Sequence, residues 1–357
     1  MHELELIKWL DNNNLLTLTK NHSKYFKEIL INNLNIKDNK DILIIGDWGN
    51  HGHRLAPIIS GAYYLSLEKL GFKSRVILGN EKTRYNPAER ELVDSLKKLD
   101  SNSLILMVFS NRPGSLGILG KSFRRYCLEK KHNFISTTGL GGLENKDLYI
   151  ITKALDVDYK KIKIKGEKIK KALDLGREIR IKTEKGTDFS ASIKGRYGIS
   201  LDGDYKTKIR GGNMPAGEVY IAPVTGSVNG KIVIDGSSRN EKGTMIIETP
   251  ITLTVKQSQI LKIEGGKEAM ILEETLNLAK KLAKRPSNIS KIGEIGIGIN
   301  PNIDIVGSMV VDEKAINTGH IAIGSNYWFG GDIFTFLHLD QVFRNPEIYI
   351  DGKKLDY

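Results

Sequence analysis

The sequence predicts two domains of different class: an α/β domain with a doubly wound, mostly parallel sheet over residues 1–175, and a β-rich α+β domain over residues 176–357. The first half alternates short branched runs with segments of helical period, which is the pattern of βαβ units on a parallel sheet. Beyond Lys170 the style changes to short alternating strands broken by Gly, Asn and Asp turns. A chain of 357 residues, 40% of them hydrophobic, is long for one domain and sufficient for two cores.

In chain order, ELELIKWL and SKYFKEILINNL repeat apolar residues at helical spacing and predict two helices within residues 3–34. DILIIGDWGNHGH is a buried-type strand ending in glycine and polar residues. The apolar helix RLAPIISGAYYLSLEKLG, closed by Gly71, and the strand SRVILG follow. ERELVDSLKKL, SLILMVFS, LGKSFRRYCLEKK and NFISTTGL continue as helix, strand, helix and strand. EKIKKALDLGREI predicts a helix leading into RIKTEKGTDFSASIKGR, two alternating strands joined through a Gly-Thr-Asp turn. GKIVIDGS and GTMIIETPITLTVKQSQILKIEGG read as strands and KEAMILEETLNLAKKLA as a helix. Asp351-Gly352, in PEIYIDGKKL, predicts a hairpin turn.

Composition removes several classes of function. No apolar run approaches the length of a membrane span, and MHELELIKWLDNNN lacks the basic-then-apolar order of a signal peptide, so a cytoplasmic protein is expected. The single cysteine, Cys127, allows neither an intrachain disulfide nor a cysteine-based zinc motif, and it reads as a core residue. The net charge of +12 suggests anionic partners, yet the lysines between Lys160 and Lys185 alternate with apolar and acidic residues, as on a solvated face. No nucleic-acid motif accompanies them, so specific nucleic-acid binding is not expected.

The segment from Asn213 to Asp340 holds five side chains that could converge on metal. They are Glu218 in NMPAGEVYIAP, Glu294 in GEIGIGINP, His320 in TGHIAIG, and His338 with Asp340 in FLHLD. Tyr327, in SNYWFGG, is a sixth candidate. Carboxylates and imidazoles brought from separate strands and turns suit Zn, Co, Mn or Fe. His338 and Asp340 are two residues apart, so on a strand both face one side. The alternate glycines around Glu294 permit close approach of backbone or ligand. Each residue also has an ordinary reading: a satisfied core histidine for His320, turn carboxylates for Glu218 and Glu294, a packed aromatic for Tyr327. Spacing alone leaves both readings open.

The runs NMPAGEVYIAP, GEIGIGINP, DEKAINTGHIAIG and HLD ahead of PEIYIDGK together resemble the aminopeptidase T family of metallo-aminopeptidases. The resemblance extends over most of the chain and is densest in these motifs. It implies metal ligands at Glu218, Glu294, His320, His338 and Asp340, an active-site tyrosine at Tyr327, two divalent ions (Zn, Co or Mn), peptide substrates and a homodimer. In the implied chemistry the ions lower the pKa of a shared water, hold the peptide's amino terminus and stabilise the oxyanion. Glu218 would shuttle the proton and Glu294 would bridge the ions, or the two roles would be reversed. Tyr327 would ligate metal or donate to the oxyanion. One departure stands out: the segment from His320 to His338 is shorter than in the bacterial aminopeptidases. Shorter forms resemble dihydroxypyridine ring-cleaving dioxygenases, which implies an alternative with one Fe(II) on the facial triad His320, His338 and Asp340. Retention of Glu218 and Glu294 favours the two-metal enzyme, because a triad does not require them. A third class is a catalytically degenerate binding protein on the same fold.

Two features of the first half remain. Asp47, His51 and His53 cluster where a parallel strand meets its helix, as a second metal site, a helix cap or a cleft lining. NRPGSLGILGKSFRR is a glycine-rich loop entering a basic helix, but it lacks the Walker and G-x-G-x-x-G spacings, so a packed loop is expected.

Overall fold

The structure, a computed structural model, describes residues 3–82, 86–119, 123–206 and 211–357. In chain order the first elements are α1 (Glu3–Asn12), α2 (Leu16–Asn32), β1 (Ile42–Asp47), α3 (Leu55–Lys69), β2 (Arg75–Gly79), α4 (Arg90–Lys98), β3 (Leu104–Phe109), α5 (Phe123–Lys130), β4 (Asn133–Thr138) and α6 (Leu148–Leu155). There follow α7 (Tyr159–Leu175), β5 (Glu178–Lys182), β6 (Asp188–Ser192), β7 (Ile199–Leu201), β8 (Gly211–Asn213), β9 (Glu218–Ile221), β10 (Asn229–Ile234), β11 (Ser237–Asn240) and β12 (Gly243–Ile246). The last are β13 (Ile251–Lys256), β14 (Gln259–Glu264), α8 (Lys267–Leu282), β15 (Ile292–Gly298), α9 (Met309–Asp312), β16 (Thr318–Gly324), β17 (His338–Arg344), β18 (Glu347–Ile350) and β19 (Lys353–Lys354). Among the described residues no helix is long and apolar enough to cross a membrane.

The chain divides into two compact units, Met1–Asp156 with Gly203–Ala216, and Val157–Asp202 with Gly217–Tyr357. The boundary expected near residue 175 therefore falls before α7. Its physical reason is the helix's apolar stripe: Ile162, Ile169 and Leu173 belong to the core of the second unit. The return of residues 203–216 to the first unit had no sequence signal. There β8 extends the parallel sheet beside β4, and a β-carbon on Gly211 would lie 2.0 Å from the Phe134 carbonyl oxygen.

The first unit is the α/β fold, with a sheet ordered β2-β1-β3-β4-β8 and every pairing parallel. β1 and β3 are buried along their whole length, which is why they read as continuous apolar runs. Cys127 is fully buried in this unit's core, beside Ile105, Met107 and Phe134.

The second unit is β-rich. Its two sheets are ordered β14-β13-β10-β6-β5-β18-β19 and β12-β11-β17-β16-β15-β9-β7. One core joins them, with Ile179, Ile181 and Phe189 from one sheet meeting Ile295, Ile321 and Phe343 from the other. Asp351 and Gly352 both have positive φ, 49° and 78°, as a two-residue turn between β18 and β19 requires.

Candidate metal centre

Strand alternation builds the site. In β15, Ile295 and Ile297 face the core, so Glu294, Gly296 and Gly298 face the other side. β16 divides likewise into Ile321 and Ile323 against His320 and Ala322. β17 places Leu339 and Phe343 in the core, opposite His338 and Asp340, and β9 places Val219 and Ile221 there, opposite Glu218. These four strands are neighbours in one sheet. Their register sets Glu294, Ala322 and Asp340 in one cross-strand row, with Gly296 beside His320 and Gly298 beside Glu218. Small residues make the room: a β-carbon on Gly296 would lie 2.0 Å from His320 Nε2.

All five predicted ligands meet on that face. Glu294 lies between two groups of side chains: its Oε1 is 3.3 Å from His320 Nε2, and its Oε2 is 3.7 Å from His338 Nε2. His320 Nε2 is also 3.7 Å from Glu218 Oε2, and His338 Nε2 is 3.2 Å from Asp340 Oδ1. Among the described residues Glu294, His338 and Asp340 form a trio whose ligand atoms all lie within 4.8 Å of one another. His338 Nδ1 is 2.8 Å from the Ser325 carbonyl oxygen, so as the donor it leaves the Nε2 lone pair for a cation. Oxygen and imidazole donors, packed with this much like charge, fit divalent metal.

The electrostatics of the metal-free cluster point the same way. Burial raises Glu218 to about 7, against the opposing pull of Lys314. Burial also raises Glu294. Burial acts to lower both histidines, but it is outweighed, for His320 by Glu294 and Glu218 and for His338 by Asp340 and Glu294, and each rises to about 9. For Asp340 burial acts upward, yet His338 and His320 hold it well below the usual carboxylate range. Without a metal, the cluster retains protons in its place.

Tyr327 does not join the five. It lies on the single 3₁₀ turn Tyr327–Phe329, where successive side chains point in different directions. Tyr327 is 64% exposed with its ring edge-on to Phe334, and the ring set against His338, at 4.8 Å, is Trp328. Two further residues of the cluster were not among the predicted site residues. Lys314 is completely buried, with its Nζ 3.4 Å from Glu218 Oε1 and paired also to Glu313.

The candidates of the first unit have other partners. Asp47 is fully buried at the end of β1, where it accepts hydrogen bonds from Gly49 N and from Ser110 N and Oγ, tying β1 to β3. His53 Nδ1 is 3.0 Å from the Leu143 carbonyl oxygen, and His51 is exposed. In the loop 111–125, residues 120–122 lie outside the described residues. Ahead of them Gly114, at φ +84°, backs onto Asn86–Ala88, and Ser115 N donates to the Asn86 carbonyl oxygen. That part is packing.

The model of the family described as NicX: 2,5-dihydroxypyridine 5,6-dioxygenase matches residues 157–355, which include all five ligand candidates. The 2,5-dihydroxypyridine 5,6-dioxygenase of Pseudomonas putida KT2440 is 27% identical over 191 residues, covering 51% of this chain and 53% of that protein. The chain thus matches about half the length of this curated relative. The solved structure of 2,5-dihydroxypyridine dioxygenase from P. putida KT2440 superposes with a TM-score of 0.69 at 17% identity, over 94% of this chain and 95% of that one. Wild-type AmpT from Thermus thermophilus superposes with a TM-score of 0.64 at 14% identity, over 94% and 97%. At these identities the two structures share the fold.

Proposed function

We propose that this chain, a member of the 2,5-dihydroxypyridine 5,6-dioxygenase family whose matched region carries two sets of candidate ligands joined by one carboxylate, is a metal-dependent enzyme that uses two divalent ions to hydrolyse the first peptide bond of short peptides. The observation that carries this reading is the division of Glu294, with Oε1 beside His320, which itself faces Glu218, and Oε2 beside His338, which itself faces Asp340. Two ions in these sets, Zn, Co or Mn, would supply a water that ionises near neutral pH and a Lewis acid for the carbonyl. Glu218, beside His320 on the same face, would take a proton from that water and return it to the leaving amine, or exchange this role with Glu294. Its Oε1 is engaged by Lys314, and its Oε2 faces His320. A homodimeric assembly is part of the same proposal.

The family's description and the P. putida relative favour a second reading, a ring-cleaving dioxygenase with one Fe(II) on His320, His338 and Asp340. Against it, the trio of ligand atoms within 4.8 Å of one another takes Glu294 in place of His320. Assays of both activities separate the two. Protein loaded with Mn, Co or Zn should release amino acids from unblocked short peptides and leave N-acetylated ones intact. Oxygen uptake with 2,5-dihydroxypyridine in Fe(II)-loaded protein, without peptide hydrolysis under any metal, would replace the first reading by the second.

A further inference from the structure

A fully buried lysine is uncommon, and Lys314 sits inside the cluster itself. Its backbone is fixed on both sides: its N–H donates to the Val311 carbonyl oxygen, and its carbonyl oxygen accepts from Asn300 N, just beyond β15. Gly298 gives this segment its room, since a β-carbon there would lie 2.1 Å from the Ala315 carbonyl oxygen. The turn is held from below by Asp312, which accepts from Val306 N and Gly307 N. The ammonium is thereby delivered to one oxygen of Glu218, and Glu313 shares it. The other Glu218 oxygen is the one facing His320.

We propose that Lys314 is a resident cation of the metal centre, a positioning residue that confines Glu218 to a single donor oxygen and sets the affinity of the Glu218–His320 half of the site. The proposal rests on the two-ion reading. A partner that only orients a ligand raises metal affinity, and its removal weakens binding about 10–100-fold. A fixed positive charge beside the ligand does the opposite, because it repels an arriving divalent ion. The sign of the effect therefore identifies the role.

Calorimetric titration of the metal-free full chain with Mn(II) is the test, on wild type, Lys314→Gln, Lys314→Arg and Glu313→Gln. In Lys314→Gln one binding step should tighten by about tenfold, while the other stays within about twofold. With peptide substrate, kcat should fall at an unchanged KM, since Glu218 then offers both oxygens. Lys314→Arg should keep both steps near wild type. Glu313→Gln has a milder demand on folding and leaves Lys314 to Glu218 alone, so the same step should loosen by about tenfold. Loosening of that step in Lys314→Gln, alone or together with the other, would make Lys314 an ordinary orienting partner and overturn the proposal. So would unchanged affinities in both Lys314→Gln and Glu313→Gln. The number of steps in wild type reports on the two-ion reading, and the movement of a step reports on Lys314.

Discussion

Glu294 is the residue on which the two halves of the site depend, because its two oxygens face different histidines. Glu294→Gln keeps the size and removes the charge, so we expect metal affinity to fall by at least about 100-fold and peptide hydrolysis to be lost. A facial triad of His320, His338 and Asp340 would still take up one Fe(II) in that variant, which elemental analysis detects. Protons are the second test at this scale. In the metal-free protein Glu218 rises from 4.5 to about 7, and His320 and His338 from 6.5 to about 9. From about pH 4.5 to 9 these groups hold more protons folded than unfolded, so they contribute less stability as pH rises. Asp340 acts in the opposite sense, since its depressed affinity gives stability that is present above the ordinary carboxylate range and lost in acid. The metal-free protein should therefore melt lower at pH 9 than at pH 5.5, and loading with metal should remove most of that slope. A flat metal-free profile would mean that the cluster does not hold these protons.

At the scale of elements, four strands and their register place every ligand, and glycine decides whether the rings fit. Gly296→Ala puts a methyl group into the space of the His320 ring. It should cost about 1–3 kcal/mol in a denaturant titration and shift His320 off the site, so metal binding weakens as well. Unchanged stability and binding would contradict the register. Much of this was legible in advance. His338 and Asp340 share a face because they are two apart on β17, and the Ile-Gly alternation of β15 signalled a close approach. What escaped was what depends on partners distant in sequence. Lys314 and Glu313 were not singled out in the sequence, and their place in the cluster follows from the fold of their turn against Asn300. Tyr327 and Trp328 are adjacent, and only the turn's direction assigns Trp328 to His338. Asp47 has the residue type of a ligand, but backbone N–H groups and Ser110 already occupy it.

For the whole molecule, hydrophobic period gave both fold classes, while the path between the units did not follow the sequence. The α7 stripe matched either core, and a three-residue strand with two glycines has no periodicity to read. All five candidate ligands, Lys314 and the pairings of the two antiparallel sheets lie in the second unit. A fragment of residues 157–357 should accordingly bind metal with the stoichiometry of the full chain. Loss of binding in a folded fragment would assign the first unit a direct part in the site. The measurement that bears most directly on the two-ion centre is metal stoichiometry by elemental analysis, on full-length protein loaded separately with Co, Zn, Mn and anaerobic Fe(II). Two equivalents of Co, Zn or Mn per chain are expected. One equivalent, taken up selectively as Fe(II), would contradict the two-ion centre.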